Sequence, residues 1–591
     1  MDILSEVLAI YDNPEKKHFM YCDVSGDIDK LDEDVRKSIE AKAEYMAMAF
    51  QDATGYEHWS TFYGPVTPGV TKDTGKEVCI PDYKDITPDM ITYWEKRAAE
   101  TKNPYLRMRY SGLVFDFKKK VTGNNKDMGK IIKLYTDSIV TVVKEDYMSY
   151  VMQGYCYIKR GMEMAKIMKN VALFEQCEDL LWDYNKKNAT DDVPGYWGRQ
   201  FNLFLDYIDD FSKYESKIIQ ENEERFDRIE KLAIDEGKDT DSHVHTLKDL
   251  AELLCQYYEK KGNREAVKSH LDRVLCVMRL PFEKRGAMWA VAMLQDMQAL
   301  YRKFHFEKDA NKLFLDFYDL GPLVLKGMQH HEFSVPIKSE IIKKYIEEFL
   351  AGSQYLVFEK FLIRHVPKLE EELQRQKEEV TQSPLIDLMR TTCFDYAGIP
   401  ISNVGVGAYA KHQKLMYGMY RRLIIGSFSL NMIVEKLIEK GLFNMDFVKE
   451  IFKDNPVIAK DQWAIVERGM QAYFDKDYLV ACHLLIPQFE SAIRRVVAMN
   501  GGDILRSKAN PQEGNEYISL DGLIESKEVK KAFGNDMYMY FKNLFVDQYG
   551  WNLRNLTSHG LLQAESFNST MANRVVHAFM LLGLLKPTQI K

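Results

Sequence analysis

The sequence predicts an all-α protein, with an N-terminal run of α-solenoid-like helical repeats followed by a C-terminal helical bundle. Three observations carry the expectation. Apolar residues recur at helical spacing along most of the 591 residues. Proline is sparse, at 17, and stands between the periodic segments as punctuation. Amphipathic stretches of about 12–20 residues alternate with short polar turns, the rhythm of stacked helices.

Residues 1–85 read as a helical and irregular N-terminal segment. From Phe62 to Met90 the chain is rich in Pro, Gly and Thr, which predicts a strand-like or loop-like connection. It closes on Thr87-Pro88-Asp89, a capping hydroxyl followed by Pro at the first helical position, ahead of MITYWEKRAAETK. Residues 86–370 form the solenoid-like region, with helices in NPYLRMRYSGLVFDFKKK, KDMGKIIKLYTDSIVTVVK, EDYMSYVMQGYCYIKRGMEMAKIM and VALFEQCEDLLWDYNKK. In LKDLAELLCQYYEKKGNREAVKSHLDRVLCVM two amphipathic helices flank a KGN turn, one tetratricopeptide-like hairpin. MLQDMQALYRKFHFEKDANKLFLDFYDL reads as a second. No strict 34-residue period is present, so the expectation is a generic solenoid offering a scaffold or binding surface.

Residues 371–457 read as a linker and helical connector, and Val366 to Pro384 as a solvated helix or hinge. Residues 458–591 contain four or five helices: DQWAIVERGMQAYF, YLVACHLLIPQFESAIRRVVAMN, a short pair around SLDGLIESKEVKKAF, NDMYMYFKNLFVDQYG, and AESFNSTMANRVVHAFMLLGLL.

Charge narrows the partners. The net charge is -8, while Leu479–Lys591 holds 12 Lys and Arg against 10 Asp and Glu, a net +2, so the rest carries -10. A mildly basic C-terminal unit after an acidic body suits a polyanion without requiring one, and excludes a non-specific nucleic-acid coat. The eight cysteines are scattered with no CxxC, which predicts buried free thiols in a reducing compartment and argues against a cysteine zinc site. MDILSEVLAIYDNPEKK lacks the basic start of a signal peptide, and VVHAFMLLGLL is about half the length of a membrane span. The expectation is a soluble, cytoplasmic chain.

The polar motifs are few. Gly405-Val406-Gly407 before a helix completes neither GxxxxGK[ST] nor GxGxxG, so a flexible turn is the simpler reading. Lys411, Lys414, Arg421 and Arg422, with His412, follow it as weak candidates for RNA phosphates or as a solvated face. His243/His245 and His330/His331 lack metal-ligand spacing, and no nucleophile motif is present. YGWNLRNLTSHGLL, Tyr549 to Leu562, is different. Asn555 and His559 share a helical face, whereas Arg554 and His559 lie about 140° apart on a regular helix. Convergence of Arg554 on His559 therefore needs a break or a second copy across a dimer. The plainer reading is a helix stopped at Gly560, with His559 favourable at its C-terminal dipole.

The residues RNLTSH are an R-x4-6-H motif, and NLRNLTSHG resembles the RNxxxHG signature of a HEPN-like family that lies at the C-termini of long helical proteins. IPQFESAIRRVV resembles that family's first core helix, with Glu490 and Arg494 at a PxxExxxR spacing. The resemblance covers roughly Ala481 to Leu585; TKNPYLRMRYSGLVFDF looks, more loosely, like the N-terminal helices of such proteins. It implies a HEPN bundle over 458–591 and a metal-independent endoribonuclease needing no cofactor. Arg554, Asn555 and His559 would be catalytic, supported by Glu490 and Arg494. The implied partners are RNA, a second copy of the chain pairing through the C-terminal domain, and a protein trigger or inhibitor on the helical region. The implied setting is antiviral defence, abortive infection or a toxin system. The alternative it leaves open is a non-catalytic HEPN dimerisation or RNA-binding scaffold. Glu490 and Arg494, at i,i+4, fit either a catalytic support or a structural pair.

Overall fold

The computed structural model describes residues 3–52, 59–70, 77–211, 213–236, 242–280, 285–329, 336–383, 385, 391–395, 397–405, 410–453, 455–508 and 514–585. Among these the chain is mostly helical, with three two-stranded antiparallel sheets. It divides into two compact units, Met1–Arg285 with Met293–Asn311, and Gly286–Ala292 with Lys312–Lys591.

In the first unit each long helix packs on its sequence neighbour. Pro88–Glu100, Pro104–Thr122, Met128–Lys144, Val151–Met168 and Val171–Asn188 follow one another in this way. Local chemistry sets their ends. The Thr87 hydroxyl accepts from the Met90 amide and Pro88 occupies the first turn, as the TPD signal predicts. Asn103 caps the next helix, while its amide donates to the Asn13 and Lys16 carbonyls and so ties down the N-terminal segment. The Pro/Gly/Thr-rich stretch forms a hairpin, Thr67–Val70 paired with Glu77–Ile80. The predicted KGN hairpin is present as Ser242–Lys260 and Arg264–Arg279: Gly262 takes a φ of 72°, and Asn263 accepts from the Ala266 amide.

The first unit also buries charge. Arg109 donates to the Ala47 and Phe50 carbonyls, Arg160 pairs with Asp116 at 2.7 Å, and Arg97 with Glu44 at 2.8 Å. Desolvation outweighs Arg97 and raises the Glu44 carboxyl above its ordinary value.

In the second unit one hydrophobic core runs from Phe349 to Leu582. Residues 371–457, read above as linker and connector, supply Met416, Met419, Leu423, Leu430, Ile433 and Leu437 to it from the long helix Lys411–Glu439. The charged stretch Val366 to Pro384 contains the helix Leu369–Gln382, which lies against that helix and buries Glu372. The terminal helix Ser569–Leu581 is buried almost all round, as its unbroken apolar run requires. Inside it Arg574 donates to the Ser427 hydroxyl and the Leu423 and His365 carbonyls, which locks it to the long helix. Gly534, φ 71°, breaks Lys527–Phe545 into the two helices the sequence separates there.

None of the cysteines is disulfide-bonded. The expectation of buried thiols holds for Cys177, Cys255 and Cys482, whose thiols burial pushes up to about 12, but not for Cys22 and Cys276, which face solvent. Among the described residues no helix is long and apolar enough to cross a membrane.

Candidate active site

The RNLTSH stretch forms a short helix, Leu553–Ser558, between two irregular turns. The turn before it is built on Asp547. Its carboxylate accepts from the Tyr549 amide at 2.9 Å and pairs with His412 Nε2 at 2.9 Å, and its carbonyl accepts from the Gly550 amide. The Trp551 amide then donates to the Asn543 carbonyl at 2.8 Å, and the Asn543 side chain donates to the Met416 carbonyl at 2.7 Å. Gly550 passes so close that a Cβ would sit 2.2 Å from the Asn543 carbonyl oxygen. The chain enters the helix through Asn552 at φ 51°.

At the other end the Leu561 amide donates to the Leu556 carbonyl and the Gly560 amide to the Thr557 carbonyl, with Gly560 at φ 66°. This is a Schellman stop, and His559 is the C-cap. The plain reading of the motif as a helix end is therefore right, and it stands together with the site geometry.

Arg554 makes no bond to His559. Its Nε donates to Glu490 Oε2 at 2.9 Å and its Nη1 to Asn555 Oδ1 at 3.2 Å. Asn555 is held in turn by Asn552 Oδ1 at 2.8 Å and the Val546 carbonyl. Glu490 sits on the helix Tyr478–Met499, whose other face buries Leu485, Ile486, Phe489, Ile493 and Val497. Its second oxygen accepts from Arg494 Nη2 at 2.8 Å, and that nitrogen also donates to the Ile518 carbonyl. One carboxylate thus lies between two guanidinium groups, leaving the cluster one positive charge in excess. Arg554 Nη2 donates to no acceptor among the described residues, so a bound anion could take it.

The structure brings Glu490, Arg494, Arg554 and Asn555 together and leaves His559 outside the cluster. The His559 ring is exposed and bonds to no described residue. The weak basic candidates do not form one patch. Lys411 is exposed at the start of the long helix, next to His412 and the Asp547 turn, and Lys414 lies one turn on. Arg421 and Arg422 stand about 15 Å from Lys411 along the axis. There Arg422 faces Glu371 and Glu372 at 3.6 and 4.0 Å, whereas Arg421 is exposed. Of the GVG turn only Gly405 is described; its amide donates to Gln413. His330 and His331 lie outside the described residues. Among those residues no group of three or more His, Cys, Asp or Glu is placed to hold a metal.

Sequence reasoning missed the His412–Asp547 pair and the Asn543 clamp. The Asp-x-Tyr-Gly order signals the turn, but nothing in the chain points to a helix 135 residues away. Four polar atoms around the site are buried without a partner among the described residues: Arg494 Nε, Asn543 Oδ1, Trp551 Nε1 and the Thr557 hydroxyl. No protein-family model, curated protein or solved structure matches the chain.

Proposed function

We propose that residues 458–591 are a HEPN-type, metal-independent endoribonuclease and that the helical region ahead of them regulates it, in a phage-defence or toxin setting. The observation that carries the reading is a positioned guanidinium with an uncommitted Nη2 on a six-residue helix and, at that helix's C-cap, an imidazole with no partner among the described residues. RNA brings its own nucleophile. A base removes the 2′-OH proton, O2′ bonds to phosphorus, and the P–O5′ bond breaks as the leaving oxygen takes a proton. The products are a 2′,3′-cyclic phosphate and a 5′-hydroxyl.

The imidazole of His559 would serve as the base or the acid in these proton transfers. Arg554, fixed by Glu490 and Asn555, would clamp the charged phosphorane. Because Arg554 is held by Glu490 and Asn555 and not by its own His559, the reading takes a homodimer in which Arg554 of one copy meets His559 of the other. The test is cleavage of single-stranded RNA with and without EDTA. Wild type is expected to cleave in both, and Arg554→Ala and His559→Ala to lose at least about a hundredfold. Variants as active as wild type would sink the proposal.

A second reading is a non-catalytic RNA-binding or dimerisation scaffold, and the Glu490–Arg554 ion pair favours it, because that pair holds the clamp as a structural element would. RNA binding by a soluble dimer that cleaves nothing would decide for it.

A further inference from the structure

We infer that Tyr517 is a nucleobase-stacking platform beside Arg554, so that this unit takes single-stranded RNA with one base laid on that ring. The inference rests on the nuclease reading above. Tyr517 ends a short antiparallel hairpin, Leu505–Ser507 with Asn515–Tyr517, in register Leu505↔Tyr517. All six strand residues are exposed, and Tyr517 is 67% exposed, so the ring contributes nothing to the core. A single exposed aromatic is ordinary. What sets this one apart is its inner face.

The Arg494 guanidinium lies 5.2 Å from the Tyr517 ring centroid. The same Arg494 is held by Glu490, and Glu490 holds Arg554. Only two side chains therefore separate the ring from the candidate phosphate clamp. The cation packs one face and restrains the ring, and the outer face is left to solvent. Arg494 Nη2 also donates to the carbonyl of Ile518, the residue after Tyr517, which anchors the hairpin strand to the Glu490 helix.

A phosphate on Arg554 and a base on Tyr517 is the pairing of clamp and stacking surface by which single strands are held. Every base has a π face, so the platform would tolerate sequence. Paired bases in a duplex could not reach it.

The experiment uses the full chain carrying His559→Ala to stop cleavage. Binding of short fluorescein-labelled oligouridylate, oligoadenylate and a duplex of the same length is followed by anisotropy. Tyr517→Leu is expected to weaken binding of both single strands about tenfold, Tyr517→Phe to stay within about twofold, and the duplex to bind more weakly than either single strand. Unchanged melting of Tyr517→Leu, expected from the ring's exposure, separates lost stacking from misfolding. If Tyr517→Leu binds like its parent while Arg554→Ala does not, the platform is wrong and the clamp survives. If the parent binds no single-stranded RNA, the nuclease reading and the platform fall together. Duplex bound as tightly as single strands overturns the substrate assignment.

Discussion

Replacing Glu490 with Ala should destabilise the second unit far more than loss of a surface ion pair does. Glu490 is 14% exposed, and its partners Arg494 and Arg554 are 22% and 25% exposed. Removing the carboxylate leaves two guanidinium groups, about three-quarters buried, facing each other without a counter-charge. Breaking a fully buried pair costs about 3–5 kcal/mol and an exposed pair about 0–1 kcal/mol. With both cations partly solvated, the expected loss is about 2–3 kcal/mol. Glu490→Gln keeps one carbonyl acceptor and should lose about 1 kcal/mol. Glu490→Ala combined with Arg554→Ala removes one of the stranded cations and should show a favourable coupling of about 1–2 kcal/mol. The assay is urea unfolding of the full chain, read by amide hydrogen exchange in the peptides covering 478–499 and 553–561. A single-variant loss below about 0.5 kcal/mol with no coupling would refute the claim that Glu490 organises the site.

Acid should loosen the same unit through His365 and His577. Burial lowers His365 to about 3 and His577 well below its ordinary value, and Arg574 beside them adds to both effects. Above about pH 6.5 neither state takes a proton and stability is full. Below it the unfolded chain binds two protons that the folded chain refuses, costing about 1.4 kcal/mol per pH unit per histidine until the folded values are reached. Melting temperatures from pH 7 to 4 should fall less steeply in His365→Phe than in wild type, and equal slopes would contradict this. Gly550→Ala, forced against the Asn543 carbonyl, should cost more than about 2 kcal/mol and raise amide exchange across Leu553–Ser558. Gly560→Ala, with open space around it but φ 66°, should cost only about 1 kcal/mol in the same measurement.

Much of the chain's local structure is legible in its residues. Thr87 and Pro88 start a helix because a hydroxyl and a fixed φ meet the needs of a first turn. Gly262 and Gly560 end helices because their left-handed backbone satisfies the last carbonyls. The Glu490–Arg494 contact was also readable, since i,i+4 residues meet on any helix. All of these depend on neighbours within about six residues. The candidate site does not. Glu490 reaches Arg554 across 64 residues, Asp547 reaches His412 across 135, and Arg574 reaches the His365 carbonyl across 209.

Periodicity says that a helix has an apolar face but not which helix will cover it, so Lys411–Glu439 read as a connector although its face lies in the core with the terminal helix. The sequence by itself determined the helical class, the turns and the shortlist that includes Arg554, Asn555 and His559. The tertiary structure decided which way Arg554 points. Its guanidinium is drawn to a largely buried carboxylate on another helix, where the pairing is worth more than in water, and the exposed imidazole of His559 offers it no such partner.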